Sequence, residues 1–182
     1  RETIEHCDRI VRPYLERSLL PAMFESHLAP GASRETAFLQ PAMVAVGYAL
    51  AQLWSSWGIE PEMVMGHSVG ELTAACVAGV IDLEEGLKFA ARRGRLMQGL
   101  PQDGGMIAIP GDEDMARALI ADHEDVDVAA LNGPRNTVLS GRRATLDVIR
   151  AQLDDDGIET HSLQVSHAFH SPLMDPVLDD IE

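Results

Sequence analysis

The chain has 182 residues, of which 46% are hydrophobic, so it can bury one sizeable core or one core with a small appended lobe. Its formal net charge of −15 excludes nucleic acid and anionic membranes as expected partners, because both would repel it. Two cysteines form no disulfide framework, and the sequence shows no signal peptide and no apolar run that would span a bilayer, which favours a cytoplasmic setting.

The first sixty residues are predicted to be mainly helical. Apolar residues at helical spacing predict an amphipathic helix from Glu2 to about Leu20, and breaker residues predict a loop in "LAPGASRET". From Gln40 to Trp57 the chain is apolar on nearly every side. This stretch predicts a buried helix, with Pro41 in its first turn.

A strand, a tight turn and two helices are predicted next. Met63–Gly66 is a short apolar strand, the small residues from Val69 to Val80 form a helix, and Asp82 caps another that runs to about Gly99. The turn itself reads Gly-His-Ser-Val-Gly, the pattern of a nucleophile elbow, in which small residues flank a serine whose hydroxyl is pushed clear of the backbone. The alternative is an ordinary turn in which Ser68 caps the helix.

After "LPQDGG" the pattern changes to short strands and helices. Their order, β-α-β-β-α-β over about sixty residues, is that of a ferredoxin-like unit. We therefore expect an α/β core made of residues 1–102 and 166–182, interrupted by a small subdomain at 103–165. Because the chain begins with Arg1 and stops on "DDIE", we also expect it to be part of a longer protein, with the core incomplete at both ends.

Ser68 needs a base, because a serine hydroxyl is a weak nucleophile at neutral pH. The chain has seven histidines, and most are explained by surface, strand or helix-end positions. His67 directly precedes the serine and cannot easily turn back to its hydroxyl. His167 and His170 in "SHAFHSP" remain, and spacing alone does not separate them.

Arginines on the helix from Leu83 are the second informative feature. At 100° per residue, Arg92 and Arg95 fall on the polar side, whereas Arg93 lies at the edge of the apolar stripe. An arginine there can reach a partly buried pocket and hold a carboxylate with both arms of its guanidinium. The alternative is an arginine that only covers the core.

The segment "GHSVGELTAACVAGVIDLEEGLKFAARRGRLMQ" resembles the acyltransferase domain of type I polyketide synthases and, more distantly, malonyl-CoA:acyl-carrier-protein transacylases. "FLQPAMVAVGYALAQLW", "AALNGPRNTVLSG" and "HAFHSPLMDPV" are similar to further segments of that family in the same order. The resemblance implies an α/β fold with a hydrolase-like large subdomain, which carries the nucleophile elbow, and an inserted ferredoxin-like small subdomain. No bound cofactor is expected. No metal site is expected either, because "HAFH" lacks a third ligand nearby and zinc would compete with the role of its histidine as a base.

The resemblance also implies roles for individual residues. It makes Ser68 the nucleophile, His170 its base, and the backbone N–H of Val69 part of the oxyanion hole. It makes an arginine the partner of the substrate's free carboxylate. The residues that it assigns to substrate binding are Arg93, Gln40, His67, Phe169 and Asn132.

The implied reaction moves a malonyl unit from malonyl-CoA to Ser68 and then to the phosphopantetheine thiol of an acyl carrier protein. The implied partners are acyl-CoA, that carrier domain, and neighbouring ketosynthase and linker domains of a multifunctional synthase, of the kind used in antibiotic biosynthesis. "HAFH" is similar to the malonyl-type signature of the family, and Phe169 would fill the space that an α-methyl branch needs. Val69 after the nucleophile indicates the same preference.

Three alternatives stay open. A methylmalonyl-selective acyltransferase would share every feature except the steric role of Phe169. A serine esterase or lipase would share the elbow, but would not need an arginine for a substrate carboxylate. A decayed domain kept as a scaffold is the third, although Ser68, His170 and Arg93 are all present.

Overall fold

A computed structural model of the chain describes residues 1–24 and 35–181, apart from the side chain of Ala22. The chain divides into two compact units, residues 1–98 and residues 99–182. The predicted loop "LAPGASRET" lies almost wholly outside the described residues. The C-terminal segment from residue 166 falls in the second unit, and its predicted place in a hydrolase-like core stays a prediction.

The described part of the first unit is helical. The helix bounds are α1 Glu2–Val11, α2 Leu19–Phe24, α3 Thr36–Ser56, α4 Gly70–Val77 and α5 Leu83–Gln98. Helix α3 packs against α1, α4 and α5. The core of the unit is formed by apolar side chains from its helices, among them Val11, Phe38, Val44 and Leu87.

Two helix predictions in this unit were wrong in detail. Helix α1 ends at Val11 and not near Leu20, because Pro13 has no N–H to donate to a helical carbonyl. Helix α3 begins at Thr36, so Pro41 lies in its second turn and not in its first. As predicted, Asp82 caps α5, where its Oδ1 accepts from the N–H of Glu85 at 2.8 Å.

Helix α3 is also less buried than its composition suggested. Its N-terminal half contributes to the core, whereas Leu50, Leu53 and Trp54 are exposed. By length and composition alone α3 could cross a membrane, contrary to the prediction that no run is long enough. Core helices of soluble proteins meet the same criterion, and the buried face of α3 packs on α5.

The segment Met63–Gly66 does not form the predicted strand. Met63 and Met65 are 90% and 91% exposed, and no other described residues pair with this segment. A strand needs a neighbour to accept and donate its backbone hydrogen bonds. The segment therefore has the apolar sequence of a strand but lacks the backbone hydrogen bonds to a neighbouring strand among the described residues.

The second unit contains four strands and two larger helices, in the order β1 Gly104–Ile109, α6 Glu113–Ile120, β2 Val126–Gly133, β3 Asn136–Arg142, α7 Arg143–Asp155 and β4 His161–Ser162. The predicted β-α-β-β-α-β order is confirmed. The strands form one antiparallel sheet with strand order β2-β3-β1-β4. The last strand has two residues, which pair with Ile107 and Ala108. A 3-10 helix at Pro172–Val177 and α8 Leu178–Ile181 follow.

Candidate active site

Ser68 lies at the tip of the turn that enters α4 and is exposed. The turn is closed by the N–H of Gly70, which donates to the carbonyl of His67, and by the N–H of Glu71, which donates to the carbonyl of Ser68, both at 3.0 Å. The N-cap position of α4 is occupied by Val69. Ser68 is therefore not the helix cap that the alternative interpretation required.

The two glycines of the turn differ in what they tolerate. A Cβ at Gly66 would overlap the backbone of Gly70 and Glu71, so this position must lack a side chain. A Cβ at Gly70 would meet nothing within 4 Å. The N–H of Gly66 also donates to Oε2 of Glu71 at 3.1 Å, which ties the entry of the turn to the first turn of α4. Steric necessity thus applies only to the first glycine.

Two non-glycine residues in the described part of the chain have a positive φ: Ser68 at 54° and His170 at 60°. This left-handed region is uncommon for residues with a Cβ, and strained backbone of this kind concentrates at functional sites. The two residues assigned to nucleophile and base by resemblance are therefore also the two that the backbone singles out.

The "HAFH" segment uses its two histidines differently. His167 is fully buried, and its ring nitrogens contact Ser166 Oγ at 2.8 Å and the carbonyl of Leu100 at 3.0 Å. His170 is exposed. Ser171 Oγ donates to the carbonyl of Ala168 at 2.7 Å and so closes the turn that carries His170. His167 therefore holds the segment in place.

The remaining substrate-binding candidates lie in varied surroundings. Phe169 is half-buried, with its ring centroid 6.0 Å from that of His167. His67 is exposed beside Ser68. Asn132 is exposed near the end of β2, just before the turn into β3.

Arg93 and Gln40 are in direct contact. Arg93 Nη1 donates to Gln40 Oε1 at 2.5 Å, and Gln40 is buried with 6% of its surface exposed. As the helical spacing predicted, Arg92 and Arg95 are exposed while Arg93 is half-buried. Burial lowers the pKa of the Arg93 guanidinium, which nonetheless remains a cation at neutral pH. Within residues 1–24 and 35–181, Arg93 forms no ion pair.

The sequence analysis did not identify three residues that contact the predicted site residues or the turn at Ser68: Thr36, Met97 and Glu71. Gln40 Nε2 donates to Thr36 Oγ1 at 2.9 Å and to Met97 Sδ at 3.3 Å, and Glu71 accepts from Gly66 as described above. The Ser-x-x-Glu spacing of Ser68 and Glu71 resembles a capping box and could have drawn attention to that glutamate.

The predicted site residues are divided between the two units. The first unit contains the serine with its neighbours and the arginine–glutamine pair, and the second contains the other candidates. In the first unit an apolar groove of about 330 Å³ is lined by α3, α4 and residues 59–65, yet it contains none of the predicted site residues. No group of three or more metal-ligating side chains was found among the described residues.

An exposed serine on a strained turn at the start of a helix resembles the turn and helix of the nucleophile elbow in serine-dependent acyl-transfer and hydrolytic enzymes, without the strand that precedes the serine there. The comparisons with known proteins are more specific. The family "Acyl transferase domain" matches residues 1–182. The mycoketide-CoA synthase of Mycobacterium tuberculosis is 51% identical over 145 residues, which are 80% of this chain and 3% of that protein.

Solved structures agree with this relationship. The acyltransferase domain from module 8 of the salinomycin polyketide synthase has a TM-score of 0.91 and 33% identity, covering 98% of this chain and 42% of that chain. The acyltransferase domain of SpnD, in complex with 2-(pent-4-yn-1-yl)malonyl, has a TM-score of 0.89 and 31% identity, covering 100% of this chain and 42% of that chain. This chain thus spans less than half of the solved domains and a few per cent of its polyketide synthase relative.

The chain belongs to the acyltransferase domains of polyketide synthases, and it is an acyltransferase. Its fold is the hydrolase-like subdomain with an added ferredoxin-like subdomain that these domains share. The sequence-based resemblance and fold class are confirmed.

Proposed function

We propose that this chain transfers a malonyl unit from malonyl-CoA to the phosphopantetheine thiol of an acyl carrier protein. The observation that carries the proposal is the half-buried Arg93, whose guanidinium contacts a neutral amide oxygen of Gln40. A partly desolvated cation has lost part of its hydration, and a nearby negative group offsets that loss more strongly than a neutral oxygen does. The free carboxylate of a malonyl group supplies that charge.

The same argument gives selectivity between acyl groups. The planar guanidinium can hold a carboxylate through two parallel N–H···O bonds. An acetyl group has no carboxylate and would leave the partly buried cation without a negative partner, which is a costly mismatch. The malonyl-derived ligand named for the SpnD domain, which is 31% identical, supports a substrate of this class.

Ser68 carries the acyl group between the two half-reactions. His170 takes the proton of the Ser68 hydroxyl as Oγ attacks the thioester carbonyl carbon, and the same proton then passes to the departing sulfur of CoA. The N–H of Val69, at the N-terminal end of α4, stabilises the negative charge on the carbonyl oxygen. The strained backbone at Ser68 and His170 supports these two roles.

The second half-reaction reverses the first. The phosphopantetheine thiol gives its proton to His170 as its sulfur attacks the carbonyl carbon of the malonyl-serine ester. A carbon–sulfur bond forms, the ester carbon–oxygen bond breaks, and His170 returns the proton to Ser68 Oγ. No cofactor bound to this chain takes part, since the phosphopantetheine belongs to the carrier protein. The partners are acyl-CoA, the carrier domain, and the ketosynthase and linker domains of a synthase, and the setting is cytoplasmic.

Phe169 sets the preference for malonyl over methylmalonyl. Its half-buried ring lies near His167, which is held by two hydrogen bonds, so the ring occupies a defined place. Space filled by the ring is not available to an α-methyl branch. A methyl group is worth only about 1–3 kcal/mol in a pocket, so the preference is real but incomplete. His67 and Asn132 line the substrate path in this proposal.

The test is loading of Ser68, measured in the complete polypeptide that carries residues 1–182. The polypeptide is incubated briefly with malonyl-CoA, methylmalonyl-CoA or acetyl-CoA, and mass spectrometry quantifies acylation of the proteolytic peptide containing Ser68. Variants Ser68→Ala, Arg93→Ala and Arg92→Ala are compared. Arg92 is the matched control, because it is the exposed neighbour of Arg93 on the same helix.

We expect malonyl loading that Ser68→Ala abolishes, that Arg93→Ala lowers by about tenfold or more, and that Arg92→Ala leaves within about twofold. Equal loading by malonyl and methylmalonyl groups would contradict only the role of Phe169 and would leave the rest of the proposal intact. Loading that does not depend on Arg93, or faster hydrolysis of neutral esters than transfer, would favour an esterase.

A further inference from the structure

We propose that Thr36 and Met97 are positioning residues for substrate selection, because they hold the side-chain amide of Gln40 in the orientation that directs Arg93. The inference rests on the proposed function, in which Arg93 binds the carboxylate of the acyl group. It assigns a role to two residues that make no contact with the substrate in that proposal.

The contacts of the Gln40 amide form a closed set. Its nitrogen donates to Thr36 Oγ1 at 2.9 Å and to Met97 Sδ at 3.3 Å, while its oxygen accepts from Arg93 Nη1 at 2.5 Å. Gln40 is 6% exposed and Thr36 is 4% exposed, so water does not readily replace these partners. Both hydrogens of the amide and its oxygen are therefore used inside the protein.

The chemistry of the partners permits one orientation of the amide. Arginine only donates hydrogen bonds, so it requires the oxygen of Gln40. The thioether of Met97 only accepts, so it requires the NH₂ group. The hydroxyl of Thr36 can do either, and it accepts here. Rotating the amide by half a turn would set NH₂ against the guanidinium and the oxygen against sulfur, which loses two contacts at once.

The fixed oxygen in turn orients the guanidinium. Arg93 has five N–H groups in one plane, and one of them is committed to Gln40. That bond restricts the orientation of the guanidinium, and the other N–H groups remain for the two oxygens of a carboxylate. Without it, Arg93 can rotate about its long side chain, and binding a carboxylate must restrict that freedom first.

The network is built at a close crossing of two helices. Thr36 and Gln40 are four residues apart on α3, and Arg93 and Met97 are four residues apart on α5. A Cβ at Gly94 would lie 2.7 Å from the carbonyl oxygen of Thr36, so this glycine allows the helices to approach. Two i, i+4 pairs thus meet across the crossing, one from each helix.

The experiment removes each acceptor without changing side-chain volume. Thr36→Val deletes the hydroxyl, Met97→Leu deletes the sulfur, and Thr36→Ser keeps the hydroxyl as the matched control. The complete polypeptide is used, and initial rates of Ser68 acylation are measured against the concentrations of malonyl-CoA and acetyl-CoA. Arg93→Ala is run alongside, and circular dichroism with urea unfolding reports whether each variant keeps its fold.

We expect Thr36→Val and Met97→Leu each to raise the KM for malonyl-CoA by about fivefold, with kcat and the acetyl-CoA rates unchanged within about twofold. Thr36→Ser should behave as the parent. If Thr36→Val fails to fold, Met97→Leu decides the outcome, because leucine replaces methionine with little change in packing.

Three results would overturn the inference. Unchanged malonyl-CoA kinetics in Thr36→Val and Met97→Leu, while Arg93→Ala still loses malonyl loading, would contradict the positioning role and leave the proposed function intact. Equal losses with malonyl-CoA and acetyl-CoA would show that the two residues only support the fold. Unaltered malonyl loading in Arg93→Ala would instead refute the proposed function, and the inference with it.

Discussion

The turn that presents Ser68 depends on one missing side chain. At Gly66 a Cβ would overlap the backbone of Gly70 and Glu71, and backbone atoms cannot move aside as a flexible side chain can. At Gly70, four residues later, the same Cβ would enter open space. The two glycines of one motif therefore give a matched pair for a substitution experiment.

We predict that Gly66→Ala lowers the free energy of unfolding of the chain by about 1–3 kcal/mol or more, as overpacking at a rigid site does. Gly70→Ala should stay within about 1 kcal/mol of the parent, and alanine's better helix propensity favours a small gain, since Gly70 is the first residue of α4. Urea unfolding followed by circular dichroism measures both. Equal tolerance of the two substitutions would contradict the steric account of the elbow.

Strain at single residues has a second consequence for the site. A left-handed backbone costs about 1–2 kcal/mol for a residue with a Cβ, and Ser68 and His170 both adopt it. Other contacts must offset this cost in free energy. Next to His170, the buried contacts of His167 and the hydrogen bond from Ser171 to Ala168 stabilise the segment.

At the scale of elements, the contact between Arg93 and Gln40 depends on the crossing of α3 and α5. Gly94 lies in this crossing, where an added Cβ would lie 2.7 Å from the oxygen of Thr36 and 2.9 Å from the Cα of Ala37. Both contacts are with backbone. A larger residue at 94 must therefore push the helices apart and separate Gln40 from Arg93.

We predict that Gly94→Ala destabilises the chain by about 1–3 kcal/mol, although alanine is the better helix former, because the packing penalty exceeds the propensity gain of about 1 kcal/mol. Arg92→Ala on the exposed side of the same helix is the control and should stay within about 0.5 kcal/mol. The shift in the midpoint of urea unfolding, with an unchanged m-value, measures the change in stability of both variants. If Gly94→Ala were more stable than the parent, α3 and α5 could accommodate an added Cβ at this crossing, and the predicted clash would be wrong.

The elements of the second unit could be predicted from local patterns, and the reason is physical. Strands β1 to β3 alternate or run apolar between turn residues, and α6 and α7 have amphipathic spacing and polar starts, so each element is specified by its own residues. The strand prediction for Met63–Gly66 was wrong because that element is not specified by its own residues alone. Its apolar sequence suits a strand, but a strand also needs a neighbour, which a local pattern does not report.

Without the family resemblance, the candidate site could be predicted only where one helix or one turn contains the signal. Helical spacing placed Arg93 at the edge of the apolar stripe, and the glycine pattern located Ser68. Spacing could not choose between His167 and His170, because the difference is a buried contact with Leu100. It also missed Met97, since the bond between Gln40 and Met97 joins residues 57 apart in the chain. Thr36 is only four residues from Gln40, but its contact gains meaning only from the contacts that Gln40 makes with α5.

At the scale of the whole molecule, the net negative charge of the chain destabilises the compact folded state. The formal net charge is −15, and several of the acidic residues are adjacent, as in Asp154, Asp155 and Asp156 at the C-terminal end of α7. Negative groups there also face the negative end of the helix dipole. Folding brings these charges closer together than they are in the unfolded chain, so mutual repulsion lowers the stability of the folded state.

Screening this repulsion should stabilise the protein. Raising NaCl from about 10 mM to about 150 mM shortens the Debye length from about 30 Å to about 8 Å, which weakens repulsion between exposed carboxylates. We predict that the Tm rises by about 2–4 °C over this range. In Asp155→Lys, which replaces a negative charge with a positive one, the Tm at low salt should be higher and the response to salt smaller. Differential scanning calorimetry of both proteins at the two concentrations measures this. A Tm that falls with salt in the parent would mean that attractive ion pairs, such as those of Arg142 with Asp103 and Asp125, outweigh the net repulsion.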